Sequence, residues 1–198
     1  MKRLKQIKQK AFTLIELLVV IAIIGLLASI VMIALSSARA KARDAKRLAD
    51  ARQLVTALNL YYSDNGIYPP VTDPSGPGGW ETTLSSFLPG LVSGGYISKQ
   101  PADPINRIVS GGLNLFVHQG NYYYAYYNYP ASSTTQYACP FNSNFSVIGI
   151  KELERGADPT LPGARCGTFP PGGCPTGGIV GVCRDWNTEF DYTIMLTQ

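Results

Sequence analysis

A long apolar segment near the N-terminus constrains the fold of this chain more than any other feature. Residues 12–35 form a near-continuous apolar run of 24 residues. As an α-helix this run would be about 36 Å long, which is enough to cross the roughly 30 Å hydrocarbon core of a bilayer. The preceding stretch, MKRLKQIKQKA, has five Lys or Arg residues and no acid. Because basic flanks stay in the cytoplasm, we expect a single membrane span with its N-terminus inside.

One charged residue, Glu16, lies inside the apolar run near its N-terminal end. A carboxylate costs about 2.5–3.5 kcal/mol at the centre of a bilayer, and such residues usually have a partner. Glu16 therefore either reaches the lipid headgroups or meets a positive charge on another chain. A secretory signal cleaved after residues 38–40 is a third interpretation, but the apolar run exceeds the roughly 7–15 residues of a signal core.

The sequence around Glu16 reads KAFTLIE at residues 10–16 and continues as an aliphatic run to Gly25. It resembles the N-terminal motif of the type IV pilin and pseudopilin family. The resemblance implies that a prepilin peptidase cuts between Ala11 and Phe12, that the new N-terminus at Phe12 is methylated, and that Glu16 guides subunit docking. The family usually has glycine before the cut, whereas this chain has Ala11, whose small side chain is still compatible with cleavage.

The chemistry of the new N-terminus agrees with this assembly role. Cleavage before Phe12 would create an α-ammonium group, with an unperturbed pKa of about 8, at a helix tip that also carries unpaired N–H groups. Opposite charges attract strongly where the dielectric constant is low. Glu16 of a neighbouring subunit would therefore pair with this ammonium group and fix the register of subunits along a fibre.

The net charge of +4 belongs largely to residues 1–11. Removing them removes five positive charges and leaves 12 basic and 13 acidic side chains, a net charge of −1. A nucleic-acid partner is therefore not expected, and the tyrosine-rich stretch 121–129 lacks the basic groove of a platform for stacking bases. We expect no enzyme activity and no cofactor, because the single histidine, His118, has no nucleophile or acid arranged with it.

All four cysteines, Cys139, Cys166, Cys174 and Cys183, lie in the last third of the chain. An even number in an exported domain predicts two disulfides, for which three connectivities are possible. A zinc site is not expected, because the sequence has no C-x-x-C and one histidine. The disulfides are expected to hold the Gly- and Pro-rich loop 156–181 against the rest of the domain.

Three acidic residues near the C-terminus, Asp185, Glu189 and Asp191, suggest a calcium site as one interpretation. They lack the alternating spacing of known calcium loops. We therefore expect them to form a solvated turn, and we expect no metal in this chain.

Residues 36–66 are predicted to continue the helix as an amphipathic second half, because apolar residues recur at steps of three and four along one face. Gly66 follows Asp-Asn and is a suitable helix stop. Six basic residues lie on this segment: Arg39, Lys41, Arg43, Lys46, Arg47 and Arg52. We expect them either to form a solvated face lightly paired with Asp44 and Asp50, or to contact lipid or neighbouring subunits.

Residues 67–198 are predicted to form a small antiparallel sheet. The strongest strand signal is the stretch 121–129, because aromatic residues favour pleated surfaces. Alternation divides its tyrosines into two faces: Tyr122, Tyr124 and Tyr126 on one, and Tyr123, Tyr127 and Tyr129 on the other. We expect one face to pack on the helix and the other to lie at the surface.

Further strands are predicted at residues 145–150 and 190–196, and a short helix at 81–88. The segments GGYI at 94–97 and PADP at 101–104 resemble the connection between helix and sheet in pseudopilins and small pilins. These features predict an α+β, pilin-like fold, with a long N-terminal helix packed on a small antiparallel sheet.

The predicted domain organisation has four parts. These are a cytoplasmic leader at 1–11, a transmembrane and assembly helix at 12–35, an amphipathic helix at 36–66, and a disulfide-stapled sheet domain at 67–198.

The resemblance implies a structural subunit of a type IV pilus-like fibre. Its expected partners are prepilin peptidase, the cytoplasmic membrane, other pilin subunits and the assembly machinery. We expect it in the cytoplasmic membrane before assembly, and in a surface or periplasmic fibre afterwards. Two alternatives remain: a pseudopilin of a secretion or DNA-uptake system, and a minor or tip subunit whose exported domain binds a ligand.

Overall fold

The computed structural model describes residues 12–71, 80–83, 87–108, 120–156, 160, 163–167 and 183–198. The chain divides into two compact units, Met1–Ala40 and Lys41–Gln198. In the first unit, every described residue before Ala40 is exposed. The helix that begins there at Leu14 is, by length and composition, long and apolar enough to cross a membrane.

Helix α1 spans Leu14–Asn65 and contains 52 residues. The other elements are β1 Trp80–Thr82, α2 Pro89–Ser93, β2 Tyr124–Tyr129, α3 Ser132–Gln136, β3 Phe145–Ile150, β4 Arg165–Gly167, β5 Cys183–Asp185, a 3-10 helix Trp186–Thr188 and β6 Tyr192–Thr197. Four strands pair antiparallel in the order β1-β2-β3-β6, and β4 and β5 form a separate antiparallel pair. This arrangement confirms the predicted α+β fold.

The predicted helix stop at Gly66 is confirmed. Helix α1 ends at Asn65, and Gly66 has a φ of 71°, a left-handed conformation in which glycine carries no steric penalty. Its N–H donates to the carbonyl of Tyr62 at 2.8 Å. The last turn is therefore closed in the way that helix-terminating glycines usually close it.

The predicted short helix at 81–88 is wrong. Residues Trp80–Thr82 form β1, which pairs with β2, and the following helix α2 begins at Pro89. The Thr83 N–H continues the contact by donating to the carbonyl of Tyr124. Pairing with an aromatic strand outweighs the weak helical preference of this segment, while proline suits the first turn of a helix.

Two buried clusters lie on opposite faces of the sheet. The helix-side core joins α1 to the sheet and comprises Ala51, Leu54, Ala57, Leu58, Tyr68, Phe87, Leu88, Leu91, Tyr124, Tyr126, Ile148, Ile150, Leu153, Tyr192 and Leu196. The far-side core comprises Tyr123, Ala125, Tyr127, Tyr129, Tyr137, Phe145, Val147, Ala164, Cys166, Trp186 and Phe190. Alternate residues of β2 and β3 point into different clusters, as expected for strands.

The predicted division of the tyrosines between two faces is confirmed, but the expectation that one face lies at the surface is wrong. Tyr123, Tyr127 and Tyr129 are buried under a second aromatic layer. Trp186 meets Tyr129 edge to face at 5.6 Å between centroids. Phe190 lies against Gly149, where an added Cβ would come within 2.6 Å of the ring. The sheet is therefore covered on both sides.

A disulfide between Cys139 and Cys166 ties the far-side core together. It connects the segment after α3 to β4, across 27 residues of chain. The predicted disulfide stapling is thus confirmed for this pair. The side chains of Cys174 and Cys183 lie outside the described residues, and so does most of the loop at 156–181, so their bond stays a prediction.

Lys151 is fully buried at the end of β3. Its ammonium group donates to the carbonyl of Glu189 at 2.6 Å and lies 5.4 Å from the centroid of the Phe190 ring. Burial lowers the pKa of Lys151 from 10.5 to about 8. The negative charges of Glu189, Asp191 and Glu152 raise this pKa, but by less than burial lowers it. The folded state thus gives up this proton more readily than the unfolded chain.

We expect the free energy of unfolding to rise between pH 7.5 and 9.5, by about 1–2 kcal/mol, because the unfolded chain then binds more protons at Lys151 than the folded chain. The rise should end above about pH 10. Tyrosines then ionise in the unfolded chain, whereas burial raises the pKa of Tyr123 and Tyr124 and keeps them protonated in the folded chain. This difference favours the unfolded chain. Urea unfolding of Lys41–Gln198, which contains both cores, measures this.

The control is Lys151→Met, which removes the titrating group. Its free energy of unfolding should be nearly constant over the same pH range, whatever its absolute value. An equal rise in wild type and variant would mean that another group is responsible.

Candidate functional site

The N-terminal end of α1 is closed by three reciprocal hydrogen bonds between Thr13 and Glu16. The Glu16 Oε2 atom accepts from the Thr13 N–H at 2.8 Å and from the Thr13 hydroxyl at 2.7 Å. The Glu16 N–H donates to the Thr13 hydroxyl oxygen at 3.3 Å. This is a capping box, and its sequence signature, T-x-x-E, is present at residues 13–16. From the sequence, we expected Glu16 to meet only an intermolecular partner or the lipid headgroups, so this cap within the chain was missed.

The surface around this end is apolar and open. Phe12 is 86% exposed, and the large apolar side chains that follow it in this unit are all exposed as well: Leu14, Ile15, Leu17, Leu18, Val19, Val20, Ile21, Ile23, Ile24, Leu26, Leu27, Ile30, Val31, Met32, Ile33 and Leu35. A continuous exposed apolar surface of this length marks a membrane or protein contact. Glu16 is thus a carboxylate with local hydrogen bonds in a segment that needs a covering partner.

In the unit Lys41–Gln198, charged side chains from α1 and two loops converge on Arg47. We call this set the Arg47 cluster, and its members are Arg43, Asp44, Arg47, Asp103 and Glu154. Arg47 Nε and Nη2 donate to the two oxygens of Asp103 at 2.6 and 3.0 Å. Arg47 Nη1 donates to Asp44 at 2.7 Å and to Glu154 at 3.0 Å. The side chains of Arg47 and Asp103 are completely buried.

The contacts within the Arg47 cluster favour the ionised forms of Arg47 and Glu154. Burial alone would lower the pKa of Arg47, but the hydrogen bonds and charge of Asp103, followed by the hydrogen bonds of Glu154 and Asp44, raise it above its ordinary value. The two-point hydrogen bond from Arg43 lowers the pKa of Glu154, and Arg47 lowers it further against the effect of burial. The guanidinium of Arg47 also lies 4.8 Å from the centre of the Tyr122 ring.

The expectation of a solvated or intermolecular basic face is therefore wrong for two of the six basic residues. Arg47 is an interior residue, and Arg43 is held by Glu154. Lys46 does form the expected pair with Asp50 at 2.5 Å, in which the lysine side chain is exposed and the Asp50 side chain is largely buried. Sequence periodicity placed Arg47 on the helix correctly, but its main partners lie 56 and 107 residues away, beyond the reach of local patterns.

The acidic residues near the C-terminus also have structural roles. Asp185 accepts from the N–H of Asn187 at 3.0 Å, and Asp191 accepts from the N–H of Leu153 at 2.8 Å. Glu189 is fully buried, so the solvated-turn prediction is wrong for this residue. His118 lies outside the described residues, and within them no cluster of three His, Cys, Asp or Glu side chains could hold a metal ion.

An open groove of about 450 Å³ runs beside α1, between its residues 50–60 and the segment 96–101. Leu54 and Ala57 form its buried floor, and the exposed residues Arg52, Leu60 and Lys99 form part of its rim. An open groove with an apolar floor and a charged rim is typical of a contact surface.

Residues 7–35 match the family model described as the Prokaryotic N-terminal methylation motif. The chain is 40% identical over 102 residues to the Type II secretion system core protein G of Escherichia coli, covering 49% of this chain and 67% of the relative. It is 38% identical over 105 residues to the protein of that name in Vibrio cholerae, covering 52% and 69%. The chain belongs to the type IV pilin and pseudopilin family.

A shorter similarity points to the fimbrial members of the same family. The chain is 48% identical over 68 residues to Fimbrial protein EcpC of Eikenella corrodens, covering 33% of this chain and 42% of the relative. No solved structure matches the chain at a significant level. The family membership confirms the predicted structural role, that of a subunit of a pilus-like fibre.

We expect Arg47→Met to lower the free energy of unfolding by about 3–5 kcal/mol, because it leaves the Asp103 carboxylate buried without its counter-charge. Adding Asp103→Asn should restore part of that loss, since asparagine keeps an acceptor for the N–H groups of Ile105 and Asn106 but carries no charge. Urea unfolding of Lys41–Gln198 measures both variants.

The matched control is Lys46→Met, which removes an exposed lysine from its pair with Asp50 on the same helix and should cost at most about 1 kcal/mol. If Arg47→Met costs no more than this control, the Arg47 cluster contributes nothing to the stability of the fold.

Proposed function

We propose that this chain is made as a precursor, cut between Ala11 and Phe12 by a prepilin peptidase, methylated at Phe12 and polymerised into a pilus-like fibre. The observation that carries the proposal is KAFTLIE at residues 10–16, inside the matched methylation motif and at the start of an exposed apolar helix. The leader at 1–11 would be discarded, and residues 12–35 would pass from the membrane into the fibre.

Before assembly, residues 12–35 would anchor the subunit in the cytoplasmic membrane with the leader in the cytoplasm. The basic leader and the apolar length support this orientation. In the fibre, the same apolar surface would be covered by the helices of other copies. Residues 36–66 and the sheet domain at 67–198 would then remain outside the membrane.

Glu16 would serve two partners in this process. Its described hydrogen bonds from Thr13 converge on Oε2, and a carboxylate accepts about four hydrogen bonds in all. The carboxylate therefore has capacity for the α-ammonium of Phe12 on a neighbouring copy while it still caps its own helix. The internal cap would lower the cost of holding Glu16 in the membrane until that neighbour arrives.

The N-terminal residue of the assembled protein tests the processing step. Fibres sheared from cells should contain a chain that begins at Phe12 and carries one additional methyl group, because the matched motif is a methylation motif. Intact-mass measurement and N-terminal sequencing check this. A chain that begins at Met1 or at Lys41 would contradict the proposal.

Two substitutions at this end of α1 separate the roles of the charge and of the cap. Glu16→Gln keeps an acceptor for the Thr13 N–H but removes the charge, so we expect membrane insertion without fibres. Thr13→Val weakens the cap but keeps the carboxylate, so fibres should form in reduced amount. Sheared-fibre yield relative to membrane-bound subunit is the measurement. Normal fibre yield with Glu16→Gln would show that the ion pair is not needed.

Two kinds of fibre fit the family. The longer similarity to Type II secretion system core protein G favours a pseudopilus that acts in protein secretion. The shorter similarity to a fimbrial protein favours a surface pilus. A chain-deletion strain distinguishes them: loss of secreted enzymes with no change in surface fibres indicates the pseudopilus, and the reverse result indicates the pilus.

A further inference from the structure

The residues of α1 that are buried against the sheet domain change from charged to apolar along the helix. Buried residues of α1 begin at Asp44 and end at Leu58. The first two, Asp44 and Arg47, are charged, whereas the remaining four are apolar: Ala51, Leu54, Ala57 and Leu58. The end of the contact nearest in sequence to the apolar segment is therefore made by ion pairs.

These ion pairs fasten two loops to the helix. Asp44 accepts from the N–H of Glu154 at 3.0 Å and of Arg155 at 3.2 Å, in addition to its bond with Arg47. Arg43 holds the Glu154 carboxylate through two hydrogen bonds. The loop at 151–156 is thus bound to α1 through both its backbone and its side chain.

The second loop, at 101–106, is fastened through Asp103. Both oxygens of Asp103 accept from Arg47, and Oδ1 also accepts from the N–H of Ile105 at 2.8 Å and of Asn106 at 3.2 Å. Asp103 therefore stabilises the turn in its own loop and also binds that loop to the helix. Both attachments converge on Arg47, which is completely buried.

We propose that the Arg47 cluster is a latch that keeps the loops 101–106 and 151–156 on α1 when the sheet domain is pulled away from the helix. This rests on the proposed function, because in a fibre the apolar half of α1 would be held by other copies while external drag would act on the sheet domain. The contact would then start to peel at its first buried residues. Charge-assisted, two-point hydrogen bonds are directional, whereas apolar contacts are not and can slide.

The role of holding the loops on α1 can be distinguished from a contribution to overall stability, because buried ion pairs can be replaced without unfolding the protein. Replacing a whole buried ion pair by uncharged groups of similar volume often leaves overall stability nearly unchanged. The double variant Arg47→Met with Asp103→Asn should therefore stay folded while the loop 101–106 loses its ion pair with α1. The loop 151–156 loses only its bond to Arg47, because Asp44 and Arg43 still hold it. The introduced asparagine carries no charge, but its side-chain oxygen still accepts from the loop N–H groups, so faster exchange there would report opening of the loop.

Hydrogen exchange of the full chain in detergent micelles tests the latch. In the double variant, the amides of 105 and 106 should exchange about tenfold faster or more, and those of 154 and 155, which still donate to Asp44, should exchange faster by a smaller factor. The amides of β2 and β3 should keep their protection. Lys46→Met should change neither group, and Leu54→Ala, which removes an apolar contact of the same helix, should affect loops and strands together.

Two results would overturn the proposal. One is equal acceleration of the loops and of β2 and β3 in the double variant, which would make the cluster an ordinary part of the core. The other is unchanged exchange in the loops. If the double variant does not fold, Arg47→Lys decides instead, because lysine keeps the charge but cannot make the two-point contact with Asp103. It should give a smaller rise confined to the same loops.

Fibres provide the mechanical test. The double variant should assemble in still culture in wild-type amount but break into shorter fibres than wild type under the same shear, with Lys46→Met as control. Equal lengths after shear would overturn the mechanical role. If the wild-type chain itself forms no fibre, the proposed function fails, and the exchange measurement alone decides whether the loops are latched.

Discussion

The burial of strand β2 on both faces is the constraint on which the rest of the sheet domain depends. Tyr124 and Tyr126 pack with α1 on one side, and Tyr123, Tyr127 and Tyr129 pack into the far-side core on the other. A strand with large aromatic residues on both faces needs two covering layers. Helix α1 supplies the first layer. The segments around α3, β4 and the 3-10 helix supply the second, with the Cys139–Cys166 bond between them.

The polar ends of these buried aromatic residues set the positions of the neighbouring segments. The Tyr126 hydroxyl donates to the carbonyl of Pro69 at 2.9 Å, and that of Tyr124 donates to Asp50 at 2.9 Å. The Trp186 N–H donates to the Tyr129 hydroxyl oxygen at 3.2 Å. Buried tyrosine and tryptophan usually find such partners. The turn after α1 and the C-terminal 3-10 helix are thereby aligned with the sheet.

Helix α1 meets two different requirements along its length. Its first part presents apolar side chains that need lipid or other chains to cover them, and Glu16 lies there within a capping box. Its later part carries a narrow buried stripe that begins with Asp44 and Arg47 and continues with small and apolar residues. The proposed fibre assembly would explain this division, because one part of the helix would join neighbouring subunits and the other would carry the folded domain.

Whereas the methylation motif was predicted from its resemblance to a known family, local spacing in the sequence was sufficient to predict the apolar run, the stop at Gly66 and the alternation of tyrosines in β2. These features depend on residues within one or two turns of each other, where helix and strand geometry fixes which side chains share a face. Sequence alone also placed Arg47 on the helix, but it treated that residue as part of a surface.

Tertiary structure decided which distant segments meet. It brought Asp103 and Glu154 to Arg47, chose Cys166 as the partner of Cys139 among the possible pairs, and drew residues 80–82 into the sheet. Tertiary structure also buried the second face of β2. Alternation in the sequence predicted only which tyrosines share that face. Such contacts depend on how the intervening loops fold and on the free energy of burial summed over the whole domain. No local pattern of residue types determines that sum.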